Sequence, residues 1–160
     1  MLALAPDYGF DVLEGRGWQE ENFTAMLTRL RAIPVEKLFY VELSDVLSPS
    51  LPLGKGSPFD GWRAENDPAR GDIFTWCICA RSIPLLGEDA GRRFKTGNDR
   101  GGARVAEILS TFLQMGFQGP LMFEPFEALS MEKGDPDVPT VYSQGCARSL
   151  DLLDRELATI

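Results

Sequence analysis

The sequence predicts an α/β fold with parallel strands, and three observations carry that prediction. Three short apolar runs rich in β-formers stand at Lys37–Leu43, Ile73–Ala80 and Pro120–Phe126. Stretches with apolar residues at helical spacing alternate with them, around Phe23–Ile33, Val105–Leu113 and Tyr142–Leu157. The runs are apolar on both faces, as parallel strands covered by helices are.

Taken in order, residues 1–18 have no sustained period and carry Gly9, Gly15 and Gly17, which reads as an irregular leading segment. From Asn22 the pattern is helical: Phe23, Met26, Leu27, Leu30 and Ile33 share a stripe, Asn22 is the predicted N-cap and Pro34 stops the run. The Lys37–Leu43 strand ends at a Ser44-Asp45 turn, and Glu42 breaks its apolar interior near the carboxyl end. Residues 44–72 hold Pro49, Pro52, Pro58 and Pro68 beside Gly54, Gly56, Gly61 and Gly71, so a long lid-like loop is expected, anchored by Phe59 and Trp62. A second strand is expected at Ile73–Ala80, then a Gly- and Arg-rich loop to Gly102. Val105, Ile108, Leu109, Phe112 and Leu113 mark a helix closed by Gly116. Pro120–Phe126 is the third buried strand, with Glu124 near its carboxyl end. A polar loop from Ala128 to Asp137 precedes a last helix with Tyr142, Cys146, Leu150, Leu153 and Leu157 on one stripe.

The 160 residues are 44% hydrophobic and 25% charged, which fits one domain spanning 1–160. A net charge of −8 argues against nucleic-acid and anionic-membrane partners, which need a basic footprint. The local cluster Arg92, Arg93, Lys95 and Arg100 keeps a small anionic ligand open. Histidine is absent, which removes Ser-His-Asp and Cys-His triads and the HExxH zinc site. Three cysteines cannot all pair in one chain, and neither a signal peptide nor an apolar 18-mer opens the sequence, so a cytoplasmic location is expected. Cys77 and Cys79 are too close for a zinc CxxC and read as buried structural thiols on one face of a strand. Simple nucleotide binding is disfavoured, because neither GxGxxG nor GxxxxGK[ST] occurs. Gly97-Asn-Asp-Arg-Gly-Gly102 reads as a turn opening the next helix.

Chemistry points to the two strand glutamates. A buried carboxylate must be neutralised by a proton, a cation or a metal, since an unpaired one costs several kcal/mol. If Glu42 and Glu124 converge they suit an oxygen-ligated divalent ion, Mg²⁺ or Mn²⁺; the plain alternatives are arginine salt bridges or positions just outside the sheet. Arg81, directly after a strand-like run, is placed either to hold a substrate carboxylate or phosphate by its fork or to brace a loop. Tyr40 shares parity with Glu42 and faces either the same cavity or the core. Asp45 is read as a turn or cap residue, with a site role second.

These residues also carry a family resemblance. Phe39-Tyr-Val-Glu-Leu-Ser-Asp45 resembles the strand reading hydrophobic-x-V-[His/Gln]-[L/V]-x-D in the sugar-phosphate isomerase/epimerase family, which has the xylose-isomerase-like TIM barrel. Trp76-Cys-Ile-Cys-Ala-Arg-Ser-Ile-Pro-Leu-Leu-Gly-Glu88 is similar to its loop leading to a Pro/Gly-Glu segment. Gly116-Phe-Gln-Gly-Pro-Leu-Met-Phe-Glu-Pro-Phe126 is similar to its last strand. Asp135-Pro-Asp-Val-Pro139 and the terminal helix are nearest to the 3-dehydroshikimate dehydratase-like branch. The resemblance covers roughly residues 22 to 157.

The resemblance implies a divalent metal held by four side chains at the barrel's carboxyl end. Glu124 matches the final acidic ligand, and Glu42 falls where most members have His and the dehydratase branch has Gln. Arg81, Tyr40 and Glu88 fall on the substrate side. The other two ligands, a Glu and an Asp, belong to strands that would precede residue 1. A full barrel takes about 250 residues, so the resemblance implies a partial TIM barrel, the carboxy-terminal third to half. Such a piece is a fragment, a truncated paralogue or part of a subunit, with an open sheet edge that favours self-association. The implied activity is that of a metal-dependent isomerase, epimerase or lyase (dehydratase) acting on a small polyhydroxylated carbonyl or carboxylate substrate. The alternative is a non-catalytic half-barrel that binds a small anion or a partner chain.

Overall fold

A computed structural model describes residues 20–46, 55–86, 104–128 and 134–160. Over these the fold is mixed α/β. Helix α1 (Glu20–Arg31) starts two residues before Asn22, so Asn22 lies inside the helix instead of capping it. Phe23, Met26 and Leu30 are buried, as their spacing predicts. Pro34 ends the run, a single 3₁₀ turn follows at Val35–Lys37, and β1 is confined to Val41–Leu43.

Strand β1 pairs in parallel with the last strand, β4 (Leu121–Phe123), with Val41 opposite Leu121, Glu42 opposite Met122 and Leu43 opposite Phe123. The expectation that both faces are covered needs correction. Val41 and Leu43 are buried, whereas Tyr40 is 46% and Met122 44% exposed. The reason lies in three of the helices, which pack on the Val41 and Leu43 side. Leu30 of α1, Leu109 and Phe112 of a later helix, α4 (Val105–Gln114), and Leu153 of the last helix, α5 (Val138–Leu157), form one core with them.

Two more expectations fail, each for a local reason. The predicted lid-like loop at 44–72 contains strand β2 (Asp45–Val46) and a helix, α2 (Pro58–Asn66). Ser57 caps that helix by accepting the Asp60 N–H at 3.3 Å, and Pro58 occupies its first turn, where a proline costs no hydrogen bond. Phe59 and Trp62, the expected anchors, are half-buried on it. The predicted strand at Ile73–Ala80 is helix α3 (Asp72–Cys79). Thr75, Trp76, Cys79 and Ala80 are buried at the spacing of one helical face, which outweighs the β preference of Thr75 and Ile78. Cys77 and Cys79 therefore do not share a strand face. Cys79 is buried and Cys77 is half-buried, and burial pushes the Cys79 thiol up to about 11. Helices α2 and α3 are clasped by Arg63, which bonds Asp72 at 2.6 Å and also pairs with Asp60.

After α3 the chain extends as β3 (Arg81–Ser82), antiparallel to β2, with Asp45 opposite Ser82. The turn Ile83–Leu86 follows, and Leu85 adopts a left-handed φ of 62° that glycine would hold more easily. The wholly buried Asp45 carboxylate accepts the Leu85 N–H at 3.3 Å, so Asp45 is a turn-bracing residue. Helix α4 and its Gly116 stop, at φ 88°, match expectation. Helix α5 buries Leu153 and half-buries Tyr142, Cys146 and Leu157 as the predicted stripe expects, and only Leu150 is exposed, with Ser149 buried beside it. Gly145 lets α5 approach the turn, since a Cβ there would stand 2.8 Å from Ile83 Cδ1. Among the described residues no helix is long and apolar enough to cross a membrane. The leading segment, the loop after Gly87 with Glu88 and the Arg92–Arg100 basic cluster lie outside the described residues.

Candidate functional site

The uncovered face of the β1–β4 pair carries the predicted residues. Glu42 faces away from the core, because its strand neighbours Val41 and Leu43 face into it. Glu124 stands two residues beyond Met122, the partner of Glu42. Its N–H donates to the Leu43 carbonyl at 2.9 Å, continuing the parallel ladder. Residues two apart on an extended strand share a face, so both glutamates open on the same side and at the same ends of paired strands.

Arg81 reaches this face from β3. Its backbone exchanges hydrogen bonds with Phe126, N–H to carbonyl at 3.1 Å and carbonyl from N–H at 2.7 Å. Its guanidinium lies 4.1 Å from the Phe126 ring centroid, Nη1 donates to Glu124 Oε2 at 3.0 Å and Nε donates to the Cys77 carbonyl at 3.2 Å. The fork that the sequence reserves for a substrate anion is thus engaged in holding Glu124. Both side chains are partly exposed, so the pair contributes little to stability, about 1 kcal/mol at most. What it does is fix the Glu124 carboxylate in one orientation. Glu42 and Tyr40 are exposed beside it.

For a divalent ion this donor set is half a set. Hard cations need six or more oxygen donors in a defined geometry. Among the described residues no three His, Cys, Asp or Glu side chains come together. Glu124 already has a cation in Arg81, and Glu42 is open to water. The described residues by themselves do not fit a resident metal, and no catalytic step is derived through one.

A second acidic group escaped the sequence reading. Glu127, three residues past Glu124, is 1% exposed. Its Oε2 accepts the Tyr142 hydroxyl from α5, and its Oε1 is buried without a hydrogen-bond partner among the described residues. Burial raises the Glu127 carboxyl above its usual range, only partly offset by the Tyr142 bond. Burial, then Glu127 itself, raises the Tyr142 phenol. Tyr142 stood on the predicted stripe of the last helix, and that stripe was the available signal. Glu127 sits outside any periodic run and gave none.

The chain matches no family model, no curated protein and no solved structure.

Proposed function

We propose that this chain is the carboxy-terminal part of a xylose-isomerase-like barrel of the sugar-phosphate isomerase/epimerase type, nearest the 3-dehydroshikimate dehydratase-like branch. One observation supports the reading above the others. Glu42 and Glu124 share one face of two paired parallel strands, Glu124 just past the carboxyl end of β4, with the core formed by α1, α4 and α5 on the other face. In barrels the site is built at that end of the strands, and the helices form an outer ring. In this reading Glu42 and Glu124 are two ligands of a divalent ion, Mg²⁺ or Mn²⁺, whose remaining ligands come from strands that the described residues do not contain. An ion held by a complete ligand set would supply Lewis-acid polarisation of a substrate carbonyl oxygen. Arg81 orients Glu124, and Tyr40 lines the same face.

The test is turnover of 3-dehydroshikimate and a panel of ketose phosphates with Mn²⁺ or Mg²⁺. It compares the 160-residue chain with a chain extended upstream from its coding sequence. Turnover is expected only in the extended chain, and Glu124→Gln is expected to abolish it. Activity in neither chain would contradict the enzymatic reading, and activity in the short chain would contradict the half ligand set.

The half-exposed Tyr40, Met122 and Phe126 favour a second reading, a non-catalytic half-barrel that binds a partner chain through this face. It predicts self-association of the short chain and no turnover in either form.

A further inference from the structure

We propose that Glu127 and Tyr142 form a proton-linked latch that docks the first half of α5 onto the end of the sheet, closed when Glu127 carries its proton and loosened when the proton leaves. The geometry isolates this carboxyl. It is buried, it receives one hydrogen bond, and its second oxygen has no partner among the described residues. An ionised carboxylate in such a place has lost its water without gaining a cation from the described residues, a state that burial disfavours. The segment carrying it cannot swing out easily. Phe126 is bonded through its backbone to Arg81, and the Ala128 N–H donates to the Ile78 carbonyl of α3 at 3.2 Å.

Among the described residues, Arg148, Asp151, Asp154, Arg155 and Glu156 of α5 are exposed, which leaves few titratable groups facing this junction. Helix α5 brings Tyr142 and, one turn on, Cys146; α3 ends in Cys79; β2 brings Asp45. Arg81 and Glu124 pair with each other. Burial holds the two thiols above their ordinary values, so neither ionises near neutrality. Asp45 is engaged with the Leu85 N–H. Glu127 is thus the group placed to change charge as pH rises from acid to neutral.

The folded chain holds the Glu127 proton above the ordinary value of 4.5. The latch therefore stabilises fully below that value, and its contribution is lost as pH rises through the raised folded value. Release should be local. The second half of α5 has its own anchors: Ser149 Oγ donates to the Pro84 carbonyl at 2.6 Å, and Leu153 lies in the main core. Loosening should reach Val141 to Cys146 and spare Ser149 to Leu157.

Hydrogen exchange of the full chain between about pH 5 and pH 8, expressed as protection factors, reads this directly. In the unmodified chain, protection over Val141 to Cys146 should fall by up to about tenfold per pH unit, the slope of one proton. Protection over Ser149 to Leu157 should hold. In Glu127→Gln, which keeps the acceptor and removes the titration, the first half should lose its pH dependence. The same slope in Glu127→Gln, or no slope in the unmodified chain, overturns the latch. An infrared reading needs no folded Glu127 variant: a protonated-carboxyl band should persist above the ordinary carboxylate range in the unmodified chain and in Asp45→Asn. Absence of the band, or its loss in Asp45→Asn, overturns the assignment to Glu127.

Discussion

Replacing Leu109 by alanine is expected to destabilise the chain by about 2–5 kcal/mol, a large fraction of a domain's total stability. Leu109 is 2% exposed and stands on α4 among Leu30, Val41, Leu43, Phe112 and Leu153. Its side chain is where three helices meet the covered face of β1. Truncation removes the transfer energy of the lost carbons, and it leaves a void that helices clasped on three sides cannot close. Urea unfolding should show a lower midpoint at an unchanged slope, the mark of lost stability in an intact fold. A loss below about 1 kcal/mol would place the site outside a packed core and remove the one-sided arrangement on which the functional reading rests.

Gly119→Ala is the second large effect, expected at about 1–3 kcal/mol. A Cβ at Gly119 would stand 2.6 Å from the Phe117 ring and 2.9 Å from the Phe39 carbonyl oxygen. The second neighbour is backbone and cannot rotate away. Phe39 leads into β1 and Gly119 leads into β4, and the next contact along is the Val41 N–H donating to the Pro120 carbonyl at 3.1 Å. The methyl group therefore pushes apart the two strands that bring Glu42 and Glu124 together. Chemical unfolding measures the cost. A stability equal to that of the unmodified chain would show that the strands do not meet this closely.

Helix α1, helix α4 with its Gly116 stop, the parallel β1–β4 pair and the last helix were legible in the sequence, because apolar spacing and breakers agree there. Helices α2 and α3 were not. In α2 four prolines across the region masked a capped start, since Ser57 and Pro58 mark the opening of a helix as well as a turn. In α3 the β-forming residues Ile73, Thr75 and Ile78 spoke for a strand, and only the pairing of Thr75 with Cys79 and Trp76 with Ala80 spoke for a helix. The sequence left the convergence of Glu42 and Glu124 as a condition, and the β1–β4 register puts them on one face. That Arg81 would spend its fork on Glu124 depends on the antiparallel contact of Arg81 with Phe126, a tertiary pairing that local pattern does not encode. Glu127 was invisible for the same reason: its burial comes from α5 folding back over it.

The central claim is that Glu42 and Glu124 act as a pair on one open face, and Met122 is its natural reporter. It is the partner of Glu42, lies two residues from Glu124 and is half-exposed, while Met26 is buried on α1 beside Phe23. Mn²⁺ titration followed by NMR of the methionine methyl groups tests the pairing directly. Selective broadening of Met122 is expected, with an affinity of about 10⁻⁴–10⁻³ M, as a half-complete oxygen site allows. Glu42→Gln or Glu124→Gln should each weaken it by about tenfold or more. Met122 left sharp, or broadened equally in both variants, would contradict the account.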